Sequence, residues 1–119
     1  MNAGDDEFTP PGLIKVSAAA LKFARDFRAA AKGAYHGDCV VTFDWAYSVS
    51  LGRGPDMPPE DIGACLMLGA YERRHVPNGF TQTVDGLEFA VKIPVAVWQN
   101  SSQRLIDFDP SEIFKLKLK

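Results

Sequence analysis

Two histidines and two cysteines are the side chains best suited to hold a metal or act as nucleophiles: His36 and Cys39 in HGDC, Cys65 in GACLML, and His75 at the end of ERRH. Four such groups supply the ligand count of a tetrahedral zinc site, thiolates also hold iron–sulfur clusters, and a Cys–His pair can serve nucleophilic catalysis. Their spacing matches neither C-x2-C nor H-x3-H, and nothing local to either cysteine supplies an oxyanion hole or a thiolate-stabilising helix start. Each cysteine sits in an apolar stretch, as packed thiols usually do. The expectation is therefore no bound cofactor. The alternative is a metal, iron or an iron–sulfur cluster on His36, Cys39, Cys65 and His75.

Carboxylates are the next chemistry. Asp44 is the polar member of a greasy run, and Asp107 and Asp109 alternate so that both fall on one face of a strand. Paired carboxylates can do acid–base work or bind a hard cation, but a half-buried sheet also needs such residues on its wet face. GRGP, residues 52–55, lacks the lysine and hydroxyl residue of a phosphate loop, so its glycines are read as turn residues. Arg73, Arg74 and His75, with Lys22, Arg25, Arg28 and Lys32, are read as a solvated basic face. Trp98 is the one large aromatic outside a regular alternation, a lid over the core or a contact residue for a partner.

These side chains must be positioned by a chain of 119 residues, the size of one domain. A net charge of -2 argues against non-specific binding to nucleic acid or to acidic membrane, and no apolar run reaches the length of a bilayer span. The acidic, proline-bearing start MNAGDDEFTPPG has no signal-peptide pattern, so the expected compartment is the cytoplasm. Residues 1–12 are read as a flexible lead-in to a single domain over residues 13–119.

The domain opens with SAAALKFARDFRAAAKG, where Ser17 is the N-cap and Gly33 the stop. Helical periodicity puts Ala20, Phe23, Ala24, Phe27, Ala30 and Ala31 on one arc, opposite the basic residues. CVVTFDWAYSVSL then alternates, with Val41, Phe43 and Trp45 on one side and Val40, Thr42 and Asp44 on the other, as in a strand with one buried face. GRGPDMPPED is a loop. ACLMLGAYERRHVP is read as a strand in preference to a helix, although Gly69 weakens both readings. Asp85-Gly86 marks a tight turn entering LEFAVKIP, VAVWQNSSQ is a helical turn or loop, and RLIDFD and IFKLKLK are short extended pieces. The fold expected is mainly β, two packed sheets with one N-terminal amphipathic helix, and its one-faced strand patterns favour antiparallel pairing. The last strand, with Phe114, Leu116 and Leu118 on one side, offers an edge for a protein partner or a homodimer.

The order of these pieces resembles the HesB-like family, the A-type iron–sulfur carriers. The resemblance is carried by Ile14-Lys15-Val16-Ser17-Ala18-Ala19-Ala20 with its helix, by Asp85-Gly86-Leu87-Glu88-Phe89-Ala90-Val91, and by Leu105-Ile106-Asp107-Phe108. It implies a compact β-sandwich-like domain. It also implies three thiolate ligands, one after an early strand and a Cys-x-Cys pair near the C-terminus. Cys39 precedes the long strand instead of following it, and the sequence ends at Lys119 with no such pair. The expectation is a divergent relative that acts as a non-enzymatic binding or interaction module, without the usual carrier activity.

Overall fold

The computed structural model describes residues 8–31, 38–52, 54–58, 60–112 and 114–119. Seven strands form two sheets. β1 (Lys15–Val16), β6 (Leu105–Phe108) and β7 (Leu116–Leu118) make a small sheet in the order β1-β6-β7. β2 (Cys39–Leu51), β3 (Glu60–Glu72), β4 (Thr81–Val84) and β5 (Leu87–Lys92) make the larger one in the order β3-β2-β5-β4. Two α-helices, α1 (Ala18–Ala31) and α2 (Val95–Gln99), accompany them among the described residues.

The local chemistry explains most boundaries. Ser17 caps α1 as expected: its hydroxyl accepts the Ala20 N–H at 3.1 Å. Asp85 and Gly86 both take positive φ, 51° and 81°, as the two-residue turn joining β4 to β5 requires. The stretch from residue 64 is a strand through Glu72, and Arg73–His75 then form one 3-10 turn before Val76. Gly33 lies outside the described residues.

The central strand departs from the expected pattern twice. β2 pairs antiparallel with β3 but parallel with β5, Val41 beside Phe89 and Phe43 beside Val91; β1 and β6 are also parallel. One-faced alternation speaks to burial and is silent on strand direction, so the expectation of antiparallel pairing held for only part of each sheet. The second departure is burial. Val41 and Phe43 enter the main core with Leu66, Phe89, Val91, Ile93, Ile106 and the helix residues Leu21 and Ala24. Val40 and Thr42, expected on a wet face, are equally inaccessible.

What covers that second face is the start of the chain. Phe8, Tyr71 and Phe80 pack against Val40, Val76 and Ala90. Phe8 meets the rings of Tyr71 and Phe80 edge-on, at 5.8 and 6.4 Å between centroids. Thr9 fastens the segment. Its N–H donates to the Val91 carbonyl at 2.7 Å, and its hydroxyl donates to the Ile93 carbonyl and accepts the Ile93 N–H, both at 3.1 Å. Of the lead-in read over residues 1–12, the part from Phe8 onward is thus bound to β5.

Thr9 is buried, so its hydroxyl cannot be replaced by water at no cost. Thr9→Val keeps the shape and leaves both Ile93 backbone groups without that partner. Urea unfolding should show a loss of about 1–3 kcal/mol.

Candidate functional site

Strand register decides the fate of the four candidate ligands. Cys39 begins β2 opposite Glu72, and Cys65 lies in β3 opposite Ala46. Seven positions of strand separate them, about 24 Å at the antiparallel rise. They cannot share a metal. Cys39 is buried; Cys65 is half-buried, and burial raises its thiol pKa, away from the reactive thiolate. His75 is exposed on the 3-10 turn after β3, and His36 lies outside the described residues. Among the described residues no three of His, Cys, Asp or Glu are grouped as a metal site.

The carboxylates are also dispersed. Asp107 is held down to about 2, first by the Lys119 ammonium donating at 2.8 Å and then by Ser17 and the Phe108 N–H. Asp109 accepts the Ser111 hydroxyl at 2.6 Å and is likewise lowered by it. Both are committed to local structure in the small sheet, while Asp44 belongs to the large one. Arg73 is clamped between Asp38 and Glu88, donating to Glu88 at 2.6 Å and to Asp38 at 3.1 Å, and it lowers the pKa of both. Arg25 donates to the Asp85 carbonyl at 2.8 Å, tying α1 to the β4–β5 turn. These cations line an open cleft of about 550 Å³ with Arg28 and Cys39, in which Arg73 is ion-paired and Arg25 is bonded to a backbone carbonyl. Trp98 packs on the core beneath the Arg104 guanidinium, 4.9 Å from its ring.

The arrangement that remains open is apolar. Between α1, the edge strand β3 and β7 runs a groove floored by Phe23, Phe27, Leu66, Leu68, Phe114 and Leu116, about 260 Å³ in volume. It continues past Leu66, Phe114 and Leu116 into a second stretch of about 240 Å³ that reaches Trp45, Cys65 and Leu118. Each wall has a local cause. Phe23 and Phe27, four apart on α1, project along one side, and Phe23 stacks on Phe108 with centroids 5.0 Å apart. The Phe114-Leu116-Leu118 alternation lines the other side, with Lys115 and Lys117 at the rim. Sequence periodicity put Phe23 and Phe27 on the apolar arc of the helix and Phe114, Leu116 and Leu118 on one side of the last strand, and it assigned no face to Leu66 or Leu68. The groove is visible only once the fold sets β7 beside β3 without pairing to it.

A polar feature lies on the opposite face of β2 and β3. Asp44 sits where a Cβ on Gly69 would come within 2.7 Å of its carboxylate, so glycine at position 69 makes room for it. Its Oδ1 is buried with no hydrogen-bond partner, while Tyr71 hydrogen bonds to the carboxylate and Lys92 stands next to it in register. Lys92 is itself held over the Phe8 and Tyr71 rings, at 5.5 and 5.6 Å. Burial outweighs Lys92 and Tyr71 and pushes the Asp44 carboxyl from 3.8 up to about 6.

A raised carboxyl pKa favours the folded state when the group is protonated. That stability is complete below pH 3.8 and is lost as pH rises through about 6. Asp44→Asn should therefore flatten the stability profile between these values and gain about 1–2 kcal/mol at neutral pH, read by urea unfolding along a pH series.

Compared with protein-family models, curated proteins and solved structures, the chain matches none.

Proposed function

We propose that this chain is a non-enzymatic binding module of HesB-like fold that takes an apolar polypeptide segment into the groove between α1, β3 and β7. The observation that carries the reading is the groove itself, two continuous stretches floored by Phe23, Phe27, Leu66, Phe114 and Leu116. A concave apolar surface suits an apolar partner segment, since desolvation of its walls supplies affinity. Among the described residues, the dispersed carboxylates and widely separated thiols bring no nucleophile, base and oxyanion donors together. The separation of Cys39 from Cys65 supports a module without iron–sulfur carrier activity.

An environment-sensitive anilinonaphthalene dye reports such a surface directly. The folded protein is expected to enhance its fluorescence, and Phe114→Glu should weaken that binding roughly tenfold by placing a charge on the groove wall. Far-ultraviolet circular dichroism should be unchanged. A folded wild-type protein that leaves the dye dark rules out the reading.

Anaerobic purification from iron-supplemented cells tests the cluster chemistry separately. The expected sample is colourless and iron-free. Visible charge-transfer absorption that disappears in Cys39→Ser or Cys65→Ser would restore the metal reading.

A further inference from the structure

β3 is the long open edge of the larger sheet. It pairs with β2 alone, and among the described residues no backbone bond reaches its outer side between Ala64 and Tyr71. Soluble proteins blunt such edges with charges, proline or brevity. The other sheet edges follow that rule: β1 has two residues, β7 has three with a lysine at its centre, and β4 is the short TQTV. β3 has thirteen residues, and from Gly63 to Tyr71 it carries neither charge nor proline.

The sequence of this edge is close to a palindrome about Met67. Reading outward, Leu66 mirrors Leu68, Cys65 mirrors Gly69, and Ala64 mirrors Ala70. The acidic pair Glu60-Asp61 opens the strand, and Arg73-Arg74 follows its end. Two such strands laid antiparallel about Met67 match leucine to leucine and alanine to alanine. Met67 at the centre and Ala64 toward one end are solvent-exposed.

From this self-complementarity we propose that the occupant of the β3 edge is a second copy of this chain, joined by an antiparallel β3–β3 pair on a two-fold axis at Met67. The proposal rests on the binding-module reading and sharpens it. Residue i pairs with residue 134 − i, so inner-face residues stay on the inner face. The four-stranded sheets become one continuous sheet, and the two apolar grooves fall on the same side of it and meet at the axis. The partner copy thereby completes the surface that receives an extended apolar segment. Backbone hydrogen bonding supplies the affinity of such strand addition, and cross-strand side-chain pairs supply its register.

Light scattering on the wild-type protein at high micromolar concentration should give twice the 13.0 kDa chain mass. Met67→Lys sets like charges opposite each other at the axis and should weaken the dimer at least about tenfold, with circular dichroism unchanged. Site-specific oxidation tests register without relying on that variant. In a Cys65→Ser background, Met67→Cys should cross-link to its own twin under mild oxidation, whereas Val84→Cys, on the far edge strand β4, should form no cross-link. A monomeric wild-type protein overturns the proposal, and so does a dimer that fails to cross-link through position 67. Dye enhancement by a monomer would refute the β3 pairing and leave the groove reading standing, whereas a cross-linked dimer with no dye response would do the reverse.

Discussion

Burial of both faces of β2 is the constraint on which the rest of the molecule depends. Val41 and Phe43 face the small sheet and α1, while Val40 packs with Phe8 on the other side, which Thr42 shares, and all four are inaccessible to solvent. A strand buried on both sides must be central, so β3 and β5 flank it and the other elements cover it. The parallel β2–β5 pair follows from the same need. With β3 already antiparallel on one side, β5 is delivered to the other by the β4–β5 hairpin, whose turn at Asp85-Gly86 is held to α1 by Arg25. A core this thin has few spare contacts, so Thr9, Phe8 and the paired rings count as structural parts.

That constraint also explains Asp44. It occupies the position where the second buried face gives way to solvent, two residues beyond Thr42 on the same side of β2. Tyr71 and Lys92 partly compensate its charge, and Gly69 leaves it room. The cost appears as a raised pKa and an unpartnered oxygen. Asp44 therefore ends the buried face of β2 at a defined position, with a carboxyl whose protonation state changes near neutral pH.

Much of this was legible in the sequence because it is local. The Ser17 cap, the Asp85-Gly86 turn and the strand character of β2, β5 and β6 all rest on short-range chemistry. The two-sheet, mainly β architecture followed from the alternation. What the alternation could not show was distant in the chain. Thr42 looks polar in its own strand yet is fully buried between Gly69 and Ala90, and Ala90 lies in the cluster that Phe8 covers from the start of the chain. Gly69 looked like a flaw in a strand and proved to be the space for Asp44. Phe23, Phe27, Phe114 and Leu116 announced an apolar side correctly, but whether such a side closes or stays open depends on the gap between β3 and β7.

The edges give the molecule its asymmetry. Strand propensity and backbone hydrogen bonding act equally on every edge, so the treatment of an edge reflects what it must avoid or accept. β7 carries Lys117 at its centre, with Lys115 before it and Lys119 after it, and its backbone is occupied by pairing with β6 and by the Gln103 and Leu105 amides donating to Lys119. β4 ends at a turn within two residues of its partner. Among the described edges, β3 combines length, a stretch without charge from Gly63 to Tyr71 and a near-mirror arrangement of side-chain sizes, beside an apolar groove in which Phe23, Phe27 and Phe114 are half-exposed. If folding alone had set these residues, a lysine at position 67 would have cost little, since that side chain already reaches solvent. An uncharged edge next to an open groove is the combination expected where pairing with another strand is part of the working state.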